Sequence, residues 1–263
     1  MSVPLQINNS FFFPWRGGIE SSLYLCGDGG SDEQRQGYID WSKAHGCDGI
    51  ILCLHNEGIM SLWNEYGRSV NMAKFNTFMA YVRRLHGLGA RITFALYDFP
   101  GDESGQYPCL RYMDRHAGVI RDVCTALNPY ASAYLLGIET NRWREQPARK
   151  WWTRQYVLEG VQALKHYAGL IPVGSHEQWR PEVEGFVGGD FCCYEALAHP
   201  ITQADGVTPE ALCAEVRNIQ KYLPPGFPVW VAEFNGNNSE RAREQARALA
   251  ELPGVVGVGG PLK

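Results

Sequence analysis

The chain of 263 residues has no run of about eighteen apolar residues, so no membrane-spanning helix is expected. It also has no basic excess: 24 Lys and Arg stand against 28 Asp and Glu, a formal net charge of −4. Nucleic-acid binders need basic groups to displace counterions from phosphates, and that footprint is missing. The segment Met1 to Asn9 has neither a basic start nor a long apolar stretch, so no secretory signal is visible. A cytoplasmic or virion-borne location is the expectation. None of the eight cysteines forms a Cys-x-x-Cys pair, which speaks against a structural zinc site. They read as reduced thiols that pack as small hydrophobes, with the adjacent Cys192 and Cys193 on opposite faces of a strand. The glycines at Gly27-Asp28-Gly29-Gly30 have the wrong spacing for a dinucleotide turn, and no cofactor is expected.

What is present is a globular mixture, 45% hydrophobic and 20% charged, arranged as short apolar runs alternating with helical patterns. Candidate strands are Phe11 to Phe13, Asp48 to Leu54, Arg91 to Leu96, Ala133 to Ile138, Leu170 to Gly174, Phe186 to Cys193, Pro228 to Ala232 and Val255 to Val258. Ser31-Asp32-Glu33-Gln34 reads as a capping box opening a helix that ends at Gly46. Met72, Phe75, Phe78, Met79, Val82 and Leu85 recur at three-and-four spacing, which predicts a helix from Met72 to Leu88. Further helices are expected over Asp114 to Leu127, Trp151 to Ala168, Thr208 to about Tyr222, and Ser239 to Leu252. The connection between the fifth and sixth strands, Glu177 to Gly185, is short and weakly helical. Strands alternating with helices imply a parallel sheet, and eight such units in one chain match an α/β (β/α)8 barrel. No linker interrupts the pattern, so residues 1–263 read as a single domain.

Polar groups gather after the strands: Arg16, His55-Asn56-Glu57, Asp98, Glu139 with Asn141, His176, Tyr194 with Glu195 and His199, and Glu233 with Asn235. The turns at the other end are plainer, as at Gly87-Leu88-Gly89 and Tyr167-Ala168-Gly169. Barrel active sites lie at the C-terminal ends of the strands, so this asymmetry points to a working cleft there. Two carboxylates matter most. Glu139 follows the fourth strand and Glu233 the seventh, and each charge at the end of a buried apolar strand needs partners or water.

On these residues the chain resembles the clan of retaining (β/α)8 glycoside hydrolases, clan A, whose acid/base ends strand four and whose nucleophile ends strand seven. The most specific similarity is Pro228-Val229-Trp230-Val231-Ala232-Glu233-Phe234, which looks like the nucleophile strand. Tyr134-Leu135-Leu136-Gly137-Ile138-Glu139-Thr140-Asn141 looks like the acid/base strand, and Phe13-Pro14-Trp15-Arg16-Gly17 like the first. The resemblance implies cleavage of O-glycosidic bonds in a poly- or oligosaccharide, with Glu139 as acid/base and Glu233 as nucleophile. It gives Tyr194 the task of hydrogen-bonding Glu233, and Arg16, His55, Asn56, Asp98, Asn141, His176 and Trp179 that of holding sugar. Trp15, Trp63 and Trp143 are further candidates for stacking on sugar faces.

The chain departs from the clan in two places. Ile138 stands where an Asn usually precedes the acid/base, and Val258-Gly259-Gly260-Pro261 where a Trp often follows strand eight. The chain stops at Lys263 without room for an eighth helix, so a barrel lacking its last helix is expected. A partner, another copy of the chain or Met1 to Asn9 would cover that flank. These departures motivate an alternative, a non-catalytic carbohydrate-binding barrel of a virion or surface assembly. A third reading, a metal-dependent hydrolase using His55, Asp98, His176 and His199, lacks a His-x-His pair after the first strand.

Overall fold

The computed structural model describes residues 10–12, 33, 36, 40, 49–54, 72–97, 113–137, 153–177, 188–195, 206–234 and 240–258. Its elements follow in the order β1 Ser10–Phe12, β2 Gly49–Cys53, α1 Met72–Gly87, β3 Arg91–Tyr97, α2 Met113–Leu127, β4 Ala131–Gly137 and α3 Arg154–Ala168. Then come β5 Val173–Glu177, β6 Phe191–Glu195, α4 Pro209–Gln220, β7 Val229–Glu233, α5 Glu240–Ala250 and β8 Val255–Val258. Glu33, Gln36 and Asp40 are helical as well, and Gln36 Nε2 donates to Asp40 Oδ1 at 2.7 Å.

The strands form one sheet in sequential order, and every neighbouring pair is parallel. Cα atoms of β1 and β7 come within 8 Å of one another, so the sheet curls on itself as a (β/α)8 barrel.

Local chemistry explains where the helices start and stop. In α1 the buried hydrophobic set is Phe75, Phe78, Met79, Tyr81, Val82 and Leu85, an apolar stripe at helical spacing. Gly89, at φ 86°, lets the chain turn back into β3. Thr153 caps α3, its hydroxyl accepting from Tyr156 N at 3.1 Å, and Thr208 caps α4 by accepting from Ala211 N at 3.2 Å. Pro209 fills the first turn of α4, where its missing N–H costs nothing.

Packing against the helices tells the two faces of the sheet apart. Phe94 meets Phe78 of α1 edge-on at 6.3 Å, and its register partner Tyr134 donates to Asn128 Oδ1 at 2.9 Å. Those side chains point outward. Cys192, Tyr194, Val229 and Val231 do the same, clustering with Leu212, Val216 and Ile219 of α4 and Leu249 of α5. The alternate positions Phe191, Cys193 and Trp230 face the other way by strand alternation, and Phe191 packs against Trp230 at 5.9 Å. They fill the barrel interior. Gly174 makes room for them, since a Cβ there would stand 2.5 Å from the Phe191 ring.

Two strand positions differ from the sequence reading. β5 is Val173–Glu177, not Leu170 to Gly174, and Leu170 is 102% exposed. β6 begins at Phe191 because Gly188 and Gly189, at φ 98° and 119°, turn the chain just before it. Asp190 fixes the neighbouring corner: it pairs with Lys165 of α3 at 2.6 Å and accepts from Val173 N at 3.1 Å. His176 and Tyr194 therefore lie within strands, where the sequence reading had them in the exits.

Candidate active site

All eight strands run in one sense, so their C-terminal residues share one mouth. Three neighbouring strands there end in glutamate: Glu177 in β5, Glu195 in β6 and Glu233 in β7. The register pairs Cys192 with Val229, Cys193 with Trp230 and Tyr194 with Val231, then skips one residue so that Glu195 pairs with Glu233. The additional residue, Ala232, makes a β-bulge at the rim of the barrel, a device that re-aims the residues following it.

Beneath this rim lies a closed layer. His176, Cys193 and Trp230 are register partners across β5, β6 and β7, and all three are fully buried. Burial pushes the His176 imidazole down from its usual value to about 3, so it stays neutral across the ordinary pH range. The Trp230 indole N–H is buried without a hydrogen-bond partner among the described residues. On the outer face, burial pushes the Cys124 thiol beside Tyr134 up to about 12, which makes it an inert packing group. Cys192, Cys193 and Cys213 are likewise buried thiols outside any disulfide.

Two expected site residues are corrected by this geometry. Tyr194 was expected to hold Glu233, but its side chain faces α4 and its hydroxyl donates to Glu215 Oε1. Strand alternation is the reason, because Cys193 takes the inward position and its neighbour must point out. His176 was expected to touch sugar, yet at 0% exposure it belongs to the packed layer under the mouth. Glu233 ends β7 as expected. Glu139, Arg16, His55, Asn56, Asp98, Asn141 and Trp179 lie outside the described residues, as do His199, Trp15, Trp63 and Trp143.

The sequence reading gave no role to Glu177, Glu195 or Glu215. Glu195 was visible as a polar group after an apolar run, and the register sets its Cα beside that of Glu233 at the ends of β6 and β7. Among the described residues no group of three His, Cys, Asp or Glu side chains stands ready to hold a metal ion. No described helix is long and apolar enough to cross a membrane.

No family model matches the chain, and no curated protein matches its sequence. Solved structures do match its fold. The GH5_18 protein from Streptomyces cattleya, in complex with GlcNAc, superposes with a TM-score of 0.68 at 15% identity, over 96% of this chain and 69% of its own. The endo-1,4-beta-mannanase from Eisenia fetida gives 0.65 at 12% identity, over 98% of this chain and 86% of its own. The Pseudomonas stutzeri endoglucanase Cel5A, in complex with cellobiose, gives 0.60 at 12% identity, over 86% and 75%. At such identities the likeness is one of fold, the (β/α)8 barrel.

Proposed function

We propose that this barrel is a retaining glycoside hydrolase that cleaves O-glycosidic bonds of an oligo- or polysaccharide, with Glu139 as acid/base and Glu233 as nucleophile. The observation that carries this reading is the position of Glu233, at the mouth end of β7 and just past a bulge. Position 139 adds to it by arithmetic. It lies two residues beyond Gly137, in the same alternation as Ala133 and Leu135, whose register partners include Gly174 on the interior face. A strand continued by two residues would bring 139 to the level of the glutamates that end β6 and β7.

In this reading Glu139 begins protonated and gives its proton to the glycosidic oxygen while the Glu233 carboxylate attacks the anomeric carbon. The bond to the leaving sugar breaks as the bond to Glu233 forms. Glu139, now ionised, takes a proton from water as that water displaces Glu233 and restores the carboxylate. Such a cycle works with carboxyls about 5–5.5 Å apart. Arg16, His55, Asn56, Asp98, Asn141 and Trp179 are the groups proposed to bind sugar around them. The similar folds include proteins described with cellobiose and with Manb1-4GlcNAc, so β-1,4-linked mannosyl and glucosyl units are the first substrates to try.

The test is turnover of a panel of aryl glycosides and polysaccharides, with Glu139→Ala and Glu233→Ala as controls. Hydrolysis lost in both variants is the expected result. Glycan binding without turnover in the parent chain would select the non-catalytic carbohydrate-binding barrel instead.

A further inference from the structure

The fold sorts charges that the composition mixes. In a (β/α)8 barrel every helix runs back from the mouth, so the helix C-termini and the turns into the next strand share the opposite end, the underside. Among the described residues that underside holds Arg84, Arg91, Lys165, Arg217, Lys221 and Arg247, all exposed, against two acids, Asp190 and Glu251. The whole chain has the reverse balance, 24 Lys and Arg against 28 Asp and Glu. Lys165 pairs with Asp190 at 2.6 Å, and Arg247 reaches Glu240 at the mouth end of α5 at 2.7 Å. A cation in the last turn of a helix answers the negative end of its dipole, which accounts for Arg84, Lys165, Arg217 and Arg247. It does not account for Arg91, which opens β3, or for the apolar side chains that stand among these cations.

Three large hydrophobic side chains are exposed among the described residues: Met72 at 60%, Leu170 at 102% and Tyr222 at 49%. Met72 opens α1 at the mouth end, and the other two lie on the underside. Leu170 is in the turn between α3 and β5, and Tyr222 in the turn between α4 and β7, on either side of the start of β6. Gly169, at φ 67°, ends α3 and leaves Leu170 fully in water. Each apolar tip follows a lysine closely, Lys165 before Leu170 and Lys221 before Tyr222. Apolar and aromatic tips in a cationic surround suit the boundary of a bilayer with acidic headgroups, where the tips leave water and the cations stay in it.

We propose that the underside of the barrel docks on an anionic lipid surface, with Leu170 and Tyr222 entering the headgroup layer and the arginines and lysines around them facing the acidic headgroups. The turns share one end of the barrel axis, so they reach one plane together. The mouth then faces away from the bilayer, toward the surrounding medium. A soluble polyanion would use the cations alone; the two apolar tips are what select lipid. This docking does not depend on the glycosidase reading.

The experiment is co-sedimentation of the full chain with vesicles of phosphatidylcholine alone and of phosphatidylcholine mixed with phosphatidylglycerol, at low and high salt. The parent is compared with Leu170→Ser, with the double variant Arg217→Glu and Lys221→Glu, and with Met72→Ser as a mouth-end control. All four changes fall on exposed side chains, and thermal unfolding checks that each variant is folded. The parent is expected to bind the mixed vesicles at low salt, to leave them at high salt and to ignore phosphatidylcholine alone. The double variant should bind at least about tenfold more weakly, at about fivefold for each cation lost. Leu170→Ser should bind about tenfold more weakly, the scale of one leucine returned to water. Met72→Ser should bind as the parent does. Hydrolysis of a soluble aryl glycoside should be the same in all of them, which keeps a failure of docking distinct from a failure of the glycosidase reading. No binding to the mixed vesicles, or binding equal in the parent and the underside variants, would overturn the proposal. Retention on heparin that Leu170→Ser leaves unchanged, without vesicle binding, would overturn it in favour of an anionic polymer.

Discussion

At the scale of single residues, the outward turn of Tyr194 separates packing from chemistry. Its hydroxyl and the Glu215 carboxylate form a part-buried bond under α4, far from the strand ends in its role if not in its sequence position. Tyr194→Phe should cost about 1–3 kcal/mol of stability, since a partly buried carboxylate loses its donor. It should leave the pH profile of turnover where it was. Urea unfolding midpoints beside kcat curves check both halves. His176 makes a second prediction. Its folded form takes up a proton only near pH 3, whereas the unfolded chain takes it up near 6.5. The unfolded state therefore binds more protons between these values. Stability from this residue is whole above pH 6.5 and is lost as pH falls below it, by about 1.4 kcal/mol per pH unit. At pH 5 the loss is about 2 kcal/mol. Denaturation at pH 7.5 and pH 5 should show a smaller drop for His176→Gln than for the parent chain.

At the scale of elements, the interior of the sheet depends on small residues where aromatic rings need space. Gly174 yields to Phe191, so Gly174→Ala should destabilise by about 1–3 kcal/mol through overpacking. Thr153→Ala, which removes the cap of α3, should cost about 1 kcal/mol. Thermal unfolding of the two variants measures these directly. The helices were largely legible in the sequence because their signals are local: stripe spacing in α1, and Thr-Pro opening α4. β7 and β8 were legible for a similar reason, as continuous apolar runs bounded by turns. β5 was misplaced because Leu170 and Ile171 imitate a strand while the true one, Val-Gly-Ser-His-Glu, carries small and polar residues into the barrel. An interior that is packed by layers accepts such residues so long as a neighbour fills the space. Hydrophobicity along the chain does not record that neighbour. The bulge in β7 was hidden for the same reason, since it exists only relative to β6.

At the scale of the whole molecule, a parallel barrel converts eight separate strand ends into one rim. The candidate site is legible in the sequence to the extent that a residue's place on that rim follows from strand order, as it does for Glu233. It was not legible where the inner or outer face decides, as at Tyr194, because one residue of shift reverses the face. The barrel accounts for why carboxylates distant in sequence are candidates for one reaction. The measurement that tests this most directly is the mass of the chain after a slow-turnover fluorinated aryl glycoside, followed by mapping of the labelled peptide. The account predicts one glycosyl unit, attached by an ester to Glu233 and absent in Glu233→Gln, with release by water slowed in Glu139→Ala. Full turnover with no adduct, unaffected by either substitution, would contradict it.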